Sequence, residues 1–87
     1  MGVIDGFIAI SDPHRRQLLE AMRAGPKSVN DLAAGLPVSR PAVSQHLKVL
    51  LDTGLVHANA VGTKRLYQIN PHGMLKLNLW LDQFWQD

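Results

Sequence analysis

Val38-Ser39-Arg40-Pro41-Ala42-Val43-Ser44-Gln45-His46-Leu47-Lys48-Val49-Leu50 is the stretch whose reading decides the fold. Ser39 is a good N-cap, since its hydroxyl can accept from an orphan backbone N–H. At about 100° per residue, Val43, Leu47, Leu50 and Leu51 fall on one apolar stripe. Ser44, Gln45, Lys48 and Pro41 lie opposite, with Arg40 close by. Aspartate and glutamate furnish much of a solvated helix face, yet none occurs here before Asp52. A face of Ser, Gln and Lys without acids can approach phosphates and base edges.

Upstream, Ser28 with Asp31 three residues on has the capping-box arrangement and starts a short helix through Leu32 and Ala33 to Gly35. Leu36-Pro37-Val38 then leads into the Ser39 cap. Two short helices joined by a tight Gly-containing turn are the frame of a helix-turn-helix. Further upstream, Asp12-Pro13 caps a helix that buries Leu18, Leu19 and Met22 and stops at Gly25-Pro26. Val3, Ile4, Phe7, Ile8 and Ile10 have the spacing of one more short helix. Downstream, Gly54 ends the 39–53 helix. Leu55–Ala60 and Arg65–Ile69 read as strands around the turn Val61-Gly62-Thr63-Lys64. After Asn70-Pro71 a last helix carries Met74, Leu77, Leu81, Phe84 and Trp85 on one stripe. Trp80 widens that stripe, and Leu75 and Leu79 sit nearly opposite it. The order is α-α-α-α-β-β-α, mainly α with a small β-hairpin: a winged helix-turn-helix.

Bulk properties narrow the function. Eighty-seven residues suit one domain, 1–87, while 46% hydrophobic residues exceed what so short a chain easily hides. The surplus implies a subunit interface or a ligand pocket. The chain has no cysteine, which removes disulfides and thiolate metal sites. No apolar run approaches the length of a membrane helix, and the N-terminus carries acidic Asp5 and no basic segment before its apolar stretch, unlike a signal peptide; a cytoplasmic protein with no membrane partner is expected. The net charge is only +2, but it is unevenly placed. Between residues 39 and 65, Arg40, Lys48, Lys64 and Arg65 face Asp52 alone, a local excess of the sign nucleic acid requires. An enzyme is not expected: Glu20 is the only glutamate, no Gly-rich phosphate loop exists, and Ser44 and His46 point different ways on their helix. A protein-binding winged helix would need an apolar or acidic recognition face, and this one is neither.

The runs Asp12-Pro13-His14-Arg15-Arg16, Val38 to Leu50, Gly54-Leu55-Val56 and Arg65-Leu66-Tyr67 resemble, in order and spacing, the winged-helix repressors of the ArsR/SmtB family. That resemblance implies a bacterial, sequence-specific double-stranded-DNA-binding regulator, most often a homodimeric repressor acting on an inverted-repeat operator, resident in the cytoplasm and on the nucleoid. It implies that 39–53 is the recognition helix and 61–65 the wing. Ser39, Arg40, Pro41, Ser44, Gln45, His46, Lys48, Thr63, Lys64 and Arg65 then form the DNA-binding set. Residues 1–10 and 72–87 become the dimerisation helices, with Val3, Ile4, Phe7, Leu77, Trp80, Leu81, Phe84 and Trp85 at the interface. Metal-sensing relatives carry Cys-x-Cys near the recognition helix or a carboxylate–histidine set on the last helix. This sequence has neither, and so resembles the cysteine-free branch, often autoregulatory, for which no metal and no cofactor is expected.

Two readings stay open on the residues themselves. His46 lies at the edge of the core stripe, where it could touch phosphate or make a half-buried structural bond. Trp80, Phe84 and Trp85 could line an effector pocket, though packing between core and partner chain suits them better. His14, His57 and His72 are too scattered to suggest one metal site.

Overall fold

The computed structural model describes residues 5–85. The helix-turn-helix is present as expected. The Ser28 hydroxyl accepts from the Asp31 N–H, and Asp31 returns the bond to the Ser28 N–H, closing the capping box that starts α3, Val29–Ala34. Ser39 Oγ accepts from the Ala42 N–H at 3.2 Å and opens α4, Arg40–Asp52. α4 stops where Gly54 takes a φ of 77°, a left-handed conformation that costs side-chain-bearing residues energy. There the Gly54 N–H reaches Leu51 O and the Leu55 N–H reaches Leu50 O, each at 3.0 Å, the paired bonds of a Schellman motif.

Upstream, α1 spans Gly6–Ala9 and α2 Pro13–Met22. Asp12 Oδ1 accepts from the His14 and Arg15 N–H groups, so α2 begins where the sequence predicts. α1 is shorter than the Val3–Ile10 helix expected, because Asp5 caps it through the Ile8 N–H at 3.0 Å. Val3 and Ile4 lie outside the described residues.

The sheet departs from expectation. A two-residue strand, β1 (Lys27–Ser28), joins β2 (Val56–Val61) and β3 (Lys64–Ile69) in the antiparallel order β1-β3-β2. Lys27 pairs with Tyr67 and Ser28 with Leu66. A strand of two residues has no periodicity to read, and Ser28 serves both as its end and as the α3 cap. The hairpin is one residue tighter on each side than expected. Val61 pairs with Lys64, leaving Gly62-Thr63 as the turn. Gly62 has a φ of 62° and Thr63 a negative φ, as a type II′ hairpin requires.

The last helix, α5, spans Pro71–Asp82, with Asn70 as its cap. It ends before Phe84 and Trp85, which the periodicity places on the helix and which lie in the turn beyond it. Asn70 fastens α5 to the end of α4: its N–H reaches Leu55 O and its Nδ2 reaches Gly54 O, both at 2.9 Å.

One apolar cluster holds these pieces together. Leu18, Leu19 and Met22 of α2, Leu32 of α3, Val43, Leu47 and Leu50 of α4, Leu55 of the turn after it, Val56 and Tyr67 of the sheet and Leu77 of α5 are all buried. Each inward stripe named from periodicity thus meets the others. Leu77 is a correction: expected at the subunit seam, it is 8% exposed and belongs to the protomer's own core. Its Cδ2 sits against the α carbon side of Gly6, where a β carbon would come within 2.7 Å.

Candidate nucleic-acid interface

Burying Val43, Leu47 and Leu50 fixes the rotation of α4, so its opposite face must point outward. Ser39, Arg40, Pro41, Ser44, Gln45 and Lys48 are all exposed. Lys48 Nζ pairs with Asp52 Oδ2 at 2.9 Å, one turn on. Both side chains are well exposed, so this bond is weak and screened, and Lys48 can exchange it for another anion. The Ser39 hydroxyl is committed to its cap, which leaves Ser44 and Gln45 as the uncommitted polar side chains at the centre of the face.

The hairpin carries Thr63, Lys64 and Arg65 to an exposed tip. The Arg65 guanidinium carbon stands 5.4 Å from the Tyr67 ring centroid, two residues on along the same side of β3, within cation–π range. Between tip and recognition helix lies a cleft of about 380 Å³, lined by Asn30 and Asp31 of α3, Arg40 of α4 and Thr63, Lys64 and Arg65 of the wing. Three cations from two distant stretches thus converge on one groove. The one acid there, Asp31, has its carboxyl held below the ordinary carboxylate range by the Ser28 hydroxyl and N–H bonds, with help from the charges of Lys64 and Lys27. The contribution of Asn30 and Asp31 was not legible in the sequence. It depends on β1 drawing the start of α3 against the wing.

His46 turns away from this surface. It is half-buried, and its Nδ1 lies 3.2 Å from Arg15 Nη1. Guanidinium can only donate, so Nδ1 accepts. Arg15 also donates from Nε to Ala9 O at 2.7 Å, tying α1, α2 and α4 together. Of the two readings open for His46, the structural bond is the one present. His14, considered in the sequence beside His57 and His72, is instead brought to Asp12 and His46. Burial tends to raise the Asp12 carboxyl pKa. The backbone bonds from Arg15 and His14 and the nearby Arg15 charge outweigh this and hold it below the ordinary range.

Aromatic residues of α1, of α5 and of the turn after it form a group of tilted rings. Phe7 and Trp80 meet edge to face at 4.9 Å between ring centroids, and Trp80 and Phe84 lie 4.7 Å apart. Trp80, Leu81, Phe84 and Trp85 remain exposed, Phe84 by 66%. Leu75 and Leu79 add exposed apolar surface on other sides of α5.

A buried-stripe helix presenting an acid-poor polar face beside a cationic hairpin defines a winged helix-turn-helix DNA-binding domain. Residues 12–58 match the model of the bacterial regulatory protein, arsR family. The HTH-type transcriptional regulator Rv2034 of Mycobacterium tuberculosis is 51% identical over 77 residues, 88% of this chain and 72% of that protein. The transcriptional repressor SdpR of Bacillus subtilis is 33% identical over 74% of this chain and 71% of its own length. Among solved structures, a possible transcriptional regulator for arsenical resistance superposes with a TM-score of 0.87 at 41% identity, covering 98% of this chain and 88% of the other. The homodimeric winged helix-turn-helix DNA-binding domain of Mb0332 from Mycobacterium bovis, solved in solution, gives a TM-score of 0.71 at 25% identity over 86% of this chain and 71% of that one. The chain belongs to the ArsR family of bacterial transcriptional regulators. The family and these relatives are regulators of transcription, not enzymes. Among the described residues no helix is long and apolar enough to cross a membrane.

Proposed function

We propose that this protein is a cytoplasmic, homodimeric repressor that binds an inverted-repeat operator, its own promoter among its targets, with α4 in the major groove and the wing on the flanking backbone or minor groove. The observation that carries this reading is the outward face of α4, where Ser44 and Gln45 stand free between the Arg40–Lys64–Arg65 cleft and Lys48. Phosphate contacts position a protein on DNA, and base-edge contacts specify the sequence. Gln45 and Ser44 take the second role; Arg40, Lys48, Lys64 and Arg65 take the first, with Ser39, Pro41 and Thr63 lining the approach. Selection of bound duplexes from random DNA tests the proposal directly, and the enriched sequence should be a two-fold repeat.

Single substitutions separate the two roles. Gln45→Ala should lower discrimination between the selected site and random duplex by about 1–3 kcal/mol, the size of a good bidentate base contact. Lys64→Ala should weaken both duplexes alike and flatten the salt dependence by about one unit for each phosphate that a chain no longer neutralises. Fluorescence anisotropy at several salt concentrations measures both. A Gln45→Ala protein with unchanged sequence preference would refute the assignment of roles.

A further inference from the structure

Away from the recognition face, the fold gathers three metal-type donors from two helices. Asp12 caps α2, His14 stands two residues along, and His46 projects from the middle of α4. One ligand atom from each lies within 4.8 Å of the other two, and all three side chains are half-buried. The two imidazoles face one another with centroids 5.8 Å apart and planes inclined by 50°. Asp12 Oδ1 is occupied by the His14 and Arg15 N–H groups, which leaves Oδ2 for another partner. A cavity of about 200 Å³ opens beside His46, bounded by Arg15, Ala42, Gln45 and Val49.

We propose that Asp12, His14 and His46 form a binding site for one divalent first-row transition ion of zinc-like, borderline softness. Two imidazole nitrogens and one carboxylate oxygen suit such ions better than hard calcium or magnesium or soft copper(I). Bond lengths of about 2.0–2.2 Å require the three donors to close toward one another. Side-chain rotations supply this closure, because the backbones of α2 and α4, which carry or adjoin all three donors, are packed into the core. Three protein ligands leave at least one position for water.

The site carries a built-in competitor. A neutral imidazole has one lone-pair nitrogen, and that of His46 accepts from Arg15 Nη1. An ion bound to His46 takes that lone pair, directly at Nδ1 or at Nε2 after the proton moves to Nδ1. Ion binding and the Arg15–His46 bond therefore exclude each other. Arg15 keeps its bond to Ala9 O, and its Nη2 remains near Ile8 O at 3.4 Å. The retained guanidinium charge repels the ion and Asp12 offsets it, so affinity should fall short of an all-protein four-ligand site.

The full chain titrated with zinc in a calorimeter, and with cobalt followed by its visible d–d bands, tests the proposal. One ion per chain is expected. His14→Ala and Asp12→Asn should each weaken zinc binding at least about tenfold, the lower end of the loss seen when even the support of a ligand is removed. Asparagine is itself a good N-cap, so the second variant keeps α2 in place. Unfolding midpoints measured without metal establish that both variants are folded. Ring proton resonances of His14 and His46 should move on zinc addition while those of His57 and His72 stay. No stoichiometric binding, binding undiminished in both variants, or shifts confined to His57 and His72 would each overturn the assignment. None of these readouts involves DNA, so they stand apart from the proposed regulatory role.

Discussion

Replacing Gly73 by alanine is expected to destabilise the protein by about 2 kcal/mol or more, at the upper end of what overpacking costs. Alanine is normally the better helix former by about 1 kcal/mol, and Gly73 lies inside α5, so propensity alone predicts a gain. Packing reverses the sign. A β carbon at Gly73 would fall 2.0 Å from Gly54 O and 2.8 Å from Gly54 C, both backbone atoms at the Schellman turn that ends α4. A flexible side chain could step aside, but this backbone cannot. It is held by the Gly54 and Leu55 N–H bonds to α4 and by Asn70. At roughly 4–8 °C per kcal/mol for a domain of this size, the unfolding midpoint should fall by about 8–16 °C. Gly35→Ala serves as the control, since its β carbon would meet only Leu32 O at 3.9 Å. Thermal denaturation of the two variants side by side decides the matter. Equal midpoints would mean that α5 shifts away from Gly54 at little cost.

The elements that cap themselves were legible from the sequence. Asp12-Pro13, Ser28 with Asp31, Ser39, and Gly54 each mark a boundary by local chemistry, and each boundary is where that chemistry places it. The stripe of Val43, Leu47 and Leu50 fixed the rotation of α4, and with it the outward position of Ser44 and Gln45. Features that depend on residues far apart in the chain stayed hidden. β1 exists because Tyr67 and Leu66 present an open edge to Lys27 and Ser28, and two residues hold no pattern of their own. The cleft between Asn30, Arg40 and Lys64 follows from that pairing. Leu77 showed the same periodicity as Leu81, yet Leu77 packs against Gly6 of α1 and lies in the core while Leu81 stays exposed. The joining of His14 to His46 rather than to His57 or His72 likewise depends on how α2 crosses α4. Local chemistry placed the reading face; tertiary packing supplied the cleft and the donor cluster.

Phe84→Glu is expected to leave each protomer folded while abolishing the dimer and most operator binding together. Phe84 is 66% exposed and lies in the turn after α5, so its own protomer is little weakened when it is replaced. In a seam built from α1 and α5 the new carboxylate would be buried without a partner, against Trp80 and the partner's equivalent surface, a costly placement for a charge. Trp80, Leu81, Phe84 and Trp85 are all exposed apolar side chains, and it is on this ground that the proposed dimer seam is placed here. A two-fold axis there would set the two α4 helices about 34–36 Å apart, matching successive major grooves on one side of the duplex. Each half alone grips few phosphates. Linking the halves makes the second binding event intramolecular, and that advantage amounts to about 10²–10⁴ in affinity. Phe84→Glu should therefore bind a full operator no more tightly than a half-site, with affinity lower by that factor. The native protein should in addition show an unfolding midpoint that rises with its concentration, as folding coupled to association demands, and the variant should not. Sedimentation velocity and titration of full-site and half-site duplexes measure the two effects independently. A variant that sediments as a folded monomer yet holds the full operator as tightly as the native protein would separate dimerisation from DNA binding, and the model of two coupled recognition helices would fall.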